Sequence, residues 1–237
     1  MKFLLLLLTG AKFGKVLLTG GTMLLSIVAY SWIFGWWYSI GFVLLIFVHE
    51  MGHYLAARQR GLNVGAPTFI PFVGAWIQLK ELPHDAETEA YVGLAGPFVG
   101  TLGAFFFYLL ARQFDSQLLL ALSYAGFFLN LFNLSPLLPF DGGRVTQVIS
   151  PKLWFIGVPI LIGLFLYHPS PLLVIMALLA APQVMRAWRG ETAVDNPAYY
   201  DTDVETRTAY GFSYLGLLIF LAIMCSELHQ QLPQVKF

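Results

Sequence analysis

Apolar runs of bilayer length recur along this chain, and they constrain its fold more than any other feature. A hydrocarbon core of about 30 Å takes about 20 helical residues to cross. By that measure the stretches from Gly21 to Tyr38, Ile40 to Ala57, Tyr91 to Ala111, Gln117 to Leu134, Leu153 to Tyr167, Pro171 to Trp188 and Ala209 to Glu227 read as spans. Lipid offers no water to satisfy a bare backbone, so each such run must bond internally as a helix. The residue balance agrees, with 58% hydrophobic and 11% charged residues in 237, less than half the charge of a water-soluble domain. The expected fold is an all-α polytopic membrane protein of seven spans, in which 153–167 and 171–188 are either two short crossings or one re-entrant hairpin.

Thirteen Lys and Arg balance thirteen Asp and Glu, so no broad basic field invites nucleic acid as a partner. A lone cysteine, Cys225, can neither close an intrachain bridge nor build a thiolate-rich metal site, which leaves any metal to His and carboxylates. Ahead of the first span, residues 1–20 read as an interfacial N-terminal helix. Phe3 to Leu8 is too short for a signal-peptide core, and Lys12 and Lys15 stand where a cleavage site would be. With the N-terminus in the cytoplasm, one membrane face collects every Lys and Arg except Arg112 and Lys236, as the positive-inside bias requires. The expected organisation is then a membrane-embedded domain over 21–188 with core spans 40–59, 91–112 and 117–144. A cytoplasmic linker over 189–208 and a C-terminal transmembrane helix with its tail over 209–237 complete it. No stretch is long or polar enough for a further soluble domain.

The second span carries His49-Glu50-Met51-Gly52-His53. Histidines four apart stack on one helix face, so both imidazoles can reach one ion, while Glu50 lies about 100° around the helix, where it can hold a metal-activated water. A zinc-bound water becomes hydroxide near neutral pH, with the carboxylate as base toward it and then as acid toward a leaving amine, which is peptide-hydrolysis machinery. Ionisable groups within a span cost about 2.5 to 3.5 kcal/mol each on insertion scales, so three in one turn need a functional reason. Zinc needs a third protein ligand, and the best candidate is Asp141 in Asn133-Leu-Ser-Pro136-Leu-Leu-Pro139-Phe-Asp141-Gly142-Gly143-Arg144. Two prolines there break the helix where backbone must line a cavity or be buried in protein, and Gly142 and Gly143 permit a tight turn that would swing Asp141 toward the histidines.

These paired motifs, with Gly96-Pro97 read as the start of a helix, resemble the site-2 protease family of intramembrane zinc metalloproteases, over most of the chain. The resemblance implies a three-helix catalytic core in the second to fourth spans, with one zinc ion per chain held by His49, His53 and Asp141. It makes Glu50 the base and Asn133 the donor toward the developing oxyanion. It also implies an intramembrane zinc endopeptidase acting on a transmembrane protein or peptide substrate in the bilayer. A short chain with few added domains reads as bacterial, so the expected bilayer is a bacterial cytoplasmic membrane. A catalytically silent membrane scaffold or membrane-protein binder of the same fold is the alternative, against which Glu50 speaks because binding alone needs no base. A transporter would spread its charges along a path or show inverted repeats, whereas here the charges converge.

Between the second and third spans, Gly61 to Ala90 is apolar enough to stay at the membrane. Ala75 to Lys80 has the content of a short strand. Its edge is expected to pair with an unwound substrate; the alternative is a loop that only caps the cavity. His84 has no partner at helical ligand spacing, and His168, between short apolar segments, and His229, in the tail, are not read as ligands. Gly96, Gly100, Gly103 and Ala104 form a small-residue face suited to helix packing.

Overall fold

The computed structural model describes residues 2–79, 83–167, 169, 171–189 and 197–232. One unbroken helix, α1 (Lys2–Phe34), runs through the expected boundary between interfacial helix and first span. Gly35, at φ 80°, separates it from α2 (Trp36–Gln59), because only glycine takes that backbone without strain. A β-hairpin follows, β1 (Val64–Ile70) and β2 (Gly74–Leu79), and then α3 (Ala86–Phe114), α4 (Gln117–Asn133) and the short α5 (Asp141–Ile149). The chain continues through α6 (Trp154–Tyr167) and α7 (Pro171–Arg189) to the last helix, α8 (Val204–Gln231). Residues 80–82 and 190–196, including Lys80 and most of the linker's first half, lie outside the described residues.

Among the described residues four helical stretches are long and apolar enough to cross a bilayer, 17–34 in α1 and the whole of α2, α3 and α8, while α4 and α6 are shorter apolar helices. Trp32, Leu102, Phe106, Phe212 and Ile219 are exposed on the outer surfaces. That much apolar surface toward the surroundings suits lipid and not water.

Between helices in lipid there is little hydrophobic drive, so close packing and hydrogen bonds must hold them. Here α2, α3 and α4 interlock through small residues. A Cβ on Gly126 would lie 2.8 Å from Ala104 Cβ, and one on Gly52 would lie 2.4 Å from Ala95 O. Leu45, Ala104 and Phe127 form a cluster that continues into Tyr214, Leu221 and Leu228, so α8 braces the core. The Ser123 hydroxyl donates to Ala104 O (3.0 Å) within it.

Helix α3 begins ten residues before Gly96-Pro97, which corrects the expectation that this pair starts a helix. Asp85 caps it by accepting the Thr88 N–H (2.6 Å), and Glu87 and Glu89 occupy the first turn, where carboxylates complement the helix dipole. Pro97 therefore lies inside the helix and withholds the N–H that Gly93 O would otherwise take, which loosens that turn.

The third motif is also built differently from its expected turn. Helix α4 stops at Asn133, residues 134–140 run without regular structure, and Asp141 opens the separate helix α5. Gly142 and Gly143 are ordinary helical residues there. A Cβ on Gly142 would sit 2.1 Å from Leu134 O, and one on Gly143 2.3 Å from Leu137 C. These glycines let α5 lie directly on the 134–138 backbone, and Tyr214 (to Leu134 O, 2.5 Å) and Trp154 Nε1 (to Gly143 O, 3.0 Å) pin that region.

Candidate metal centre

The histidines of α2 meet Asp141 where α2, α3 and α5 converge. His49 Nε2 and His53 Nε2 each lie 3.2 Å from Asp141 Oδ2, and the two nitrogens are 3.1 Å apart. All three residues are buried.

Which ring nitrogens carry protons follows from their partners. Asn130 Nδ2 donates to Gly126 O (2.7 Å), so its Oδ1 faces His49 Nδ1 (2.7 Å) as an acceptor. Val92 O accepts from His53 Nδ1 (2.7 Å) in the turn that Pro97 loosens. Both Nδ1 atoms are donors, so in the neutral rings both Nε2 lone pairs point at each other and at a carboxylate. Such an arrangement calls for a cation. Ligand atoms about 2.0–2.1 Å from a tetrahedral zinc ion lie about 3.3 Å apart, close to the three separations found here. The set can hold one metal ion, and its nitrogen and oxygen donors, each imidazole anchored from behind, suit zinc.

Glycines of α3 make room for this. A Cβ on Gly96 would fall 2.2 Å from His53 Nε2, and one on Gly100 would fall 2.3 Å from Asn130 Oδ1. The small-residue face thus seats the candidate ligands as well as packing helices.

Glu50 is buried, makes no hydrogen bond among the described residues, and lines the cavity that holds the cluster. That cavity, about 550 Å³, is walled by β2 from Gly74 to Ile77 on one side and by Ile175, Met176 and Leu179 of α7 on another. Asn133 lines it too, with its Nδ2 donating to Leu129 O (3.1 Å), which leaves its second amide hydrogen unassigned. Sequence reasoning missed Asn130; the signal was its place one helical turn before Asn133 in an apolar span, where a buried amide must find partners. His84 and His229 stand apart from the cluster. His168 lies outside the described residues.

The hairpin presents an open edge here. Its antiparallel register pairs Thr68 with Trp76 and Ile70 with Gly74. Pro67 O accepts from Thr19 Oγ1 (2.7 Å) and the Phe69 N–H donates to Thr22 Oγ1 (3.2 Å), so alternate residues of β1 face α1. By the alternation of an antiparallel ladder, Thr68 and Ile70 face β2, and the backbone groups of Ala75 and Ile77 point away from β1 to the unpaired side.

Comparison with known proteins agrees with this geometry. Residues 37–117 match the model of peptidase family M50. The chain is 29% identical to a zinc metalloprotease of Methanocaldococcus jannaschii over 48% of its own length and 35% of that protein's. It is 38% identical to a chloroplast protein of Arabidopsis thaliana assigned as a zinc metalloprotease, over 24% and 11%. The chain thus spans about a third or less of these two relatives. A second M. jannaschii protein, assigned as a zinc metalloprotease, is 30% identical over 60% of this chain and 90% of that one. Among solved structures the chain resembles a site-2 protease from M. jannaschii with a TM-score of 0.44 and 19% identity, over 91% of this chain and 88% of that one. On the third relative's coverage, together with the family match, the chain belongs to peptidase family M50, the site-2 proteases.

Proposed function

We propose that this chain is an intramembrane zinc endopeptidase that hydrolyses peptide bonds in or near transmembrane segments of membrane proteins. The observation that carries the reading is the convergence of His49, His53 and Asp141 beside an unpartnered Glu50 in a cavity bounded by an open strand edge. Bound zinc would supply Lewis acidity to water and to the scissile carbonyl. Glu50 accepts the proton of the attacking water as its oxygen bonds to the carbonyl carbon, then returns a proton to the nitrogen as the C–N bond breaks. Asn133 donates its free amide hydrogen to the carbonyl oxygen as charge develops there.

A transmembrane helix hides its own peptide bonds and must be extended before it is cut. The outward N–H and C=O groups of Ala75 and Ile77 offer an extended segment a strand to pair with, directly beside the metal cluster. The distribution of Lys and Arg supports an N-terminus in the cytoplasm, with the cluster toward the cytoplasmic side of the membrane.

The test compares membrane proteomes of cells carrying the wild-type chain or its Glu50→Gln form, together with zinc content of both purified proteins. Membrane-protein stubs accumulating in the variant, with zinc unchanged, are the expected result. Equal stub levels at full zinc content would overturn the reading.

A further inference from the structure

Arg144 lines the same cavity as Glu50 and Asp141, yet its guanidinium makes no hydrogen bond or ion pair among the described residues. It lies three residues after Asp141 on α5, so the two side chains leave neighbouring positions on one helix face. Its base is fixed, since a Cβ on Gly93 of α3 would lie 3.0 Å from Arg144 Cβ. The rest of the wall is largely apolar, with Ile46, Leu129, Phe132 and Leu179 among its residues. A guanidinium carries five donors in a planar fork, and this one, half-buried with its charge acting on nearby Glu50, has none of those donors placed on a protein acceptor among the described residues.

Glu50 and Asp141 do not absorb this charge once the centre is loaded. A divalent cation held by His49, His53 and Asp141 would offset the two carboxylates, leaving Arg144 to give the cavity a net positive charge. The free donors and the residual positive charge suit an anion brought by the substrate. A carboxylate matches the fork with two parallel hydrogen bonds, whereas a backbone carbonyl uses only part of it.

We propose that Arg144 is a specificity-determining residue that binds an Asp or Glu side chain of the substrate, placed within a few residues of the cut bond. The proposal rests on the reading of this cavity as the substrate site, and it defines the substrate class as membrane segments with an acidic residue at the flank entering the cavity. Strand pairing along β2 supplies affinity without regard to sequence; Arg144 supplies the register.

Binding tests this independently of turnover. The full-length Glu50→Gln chain, zinc-loaded in lipid nanodiscs, is titrated with leucine-alanine peptides long enough to cross the bilayer, each carrying one Asp at successive positions near one end. Matched sets carry Asn or Lys instead. At one or two adjacent positions the Asp peptide is expected to bind about tenfold more tightly than its Asn counterpart. Adding Arg144→Gln should erase that difference while leaving Asn-peptide binding near its original level, and adding Arg144→Glu should shift the preference to Lys. An Asp preference that persists in Arg144→Gln, or no preference at any position, overturns the proposal. Cleavage of the same peptides by the chain with Glu50 intact separates the two readings. Selective binding without cutting defeats the proteolytic function and spares the role of Arg144, and cutting that ignores the acidic residue does the reverse.

Discussion

Asn130 Oδ1 lies 2.7 Å from His49 Nδ1, and that contact decides which nitrogen of the ring is left for a metal. The amide is itself oriented by Gly126 O and seated against Gly100, so the chain of control runs from a helix backbone to a ligand lone pair. Replacing Asn130 with Ala removes the acceptor and frees the imidazole to turn. Zinc affinity is expected to fall about 10- to 100-fold, as is usual when the group behind a ligating histidine is lost. Competition against a chelator of known affinity measures it; unchanged affinity would mean that the contact orients nothing.

The three candidate ligands differ from Glu50 in what their loss should do. Asp141→Ala is expected to weaken zinc binding itself, because it deletes a donor, while Glu50→Gln keeps zinc and stops hydrolysis. Zinc content by metal analysis and cleavage of a membrane substrate separate the two. A Glu50→Gln chain that still cuts at full rate would remove Glu50 from the role of base.

Gly96 has no room to change. A methyl there would lie 2.2 Å from His53 Nε2, far inside van der Waals contact, and both atoms belong to buried, tightly packed helices. Gly96→Ala should therefore abolish zinc loading while the protein still inserts into membranes, since only the α2–α3 contact at the cluster is disturbed. Normal zinc content in that variant would show that the helices separate more easily than their packing suggests.

These outcomes bear on how much the chain reveals by itself. Apolar runs and the His49 to His53 spacing stand out because they are local and periodic. Asp141 was legible as a candidate through the prolines and glycines around it. The reason Gly142 and Gly143 are there was not, since close approach to Leu134 and Leu137 is a tertiary fact that resembles turn chemistry in one dimension. Gly96-Pro97 misled for a similar cause. Proline commonly opens helices, and only the Asp85 cap shows that α3 had begun earlier. Asn130 went unseen because its pairing with His49 is a contact between helices 81 residues apart in sequence, and its place one turn before Asn133 does not by itself say what the amide meets.

Beyond the cluster, the segment before α8 is fastened to the first turn of α3. Glu89 accepts from both Tyr199 OH and Gln147 Nε2, which ties α5 and the 197–200 turn to one carboxylate. Burial and the Glu89 charge raise the Tyr199 phenol far above its ordinary pKa, so it stays protonated and donating throughout the physiological range. Tyr199→Phe should cost about 1.5 kcal/mol of stability by removing a part-exposed hydrogen bond to a charged group, read as earlier thermal unfolding in detergent. No shift would mean that Gln147 alone satisfies Glu89.

The hairpin gives the sharpest test of substrate docking, because two adjacent positions differ only in where their backbone points. The N–H of Ile77 faces the open edge of β2, and that of Trp76 faces β1. Proline at Ile77 removes an outward donor and leaves the Thr68 to Trp76 and Ile70 to Gly74 pairings in place. Proline at Trp76 instead breaks the hairpin. Ile77→Pro should therefore retain zinc and a folded hairpin yet lose most cleavage of a membrane substrate, whereas Trp76→Pro should also lower thermal stability. Full activity in Ile77→Pro would sink strand pairing as the docking mode and reduce the hairpin to a wall of the cavity.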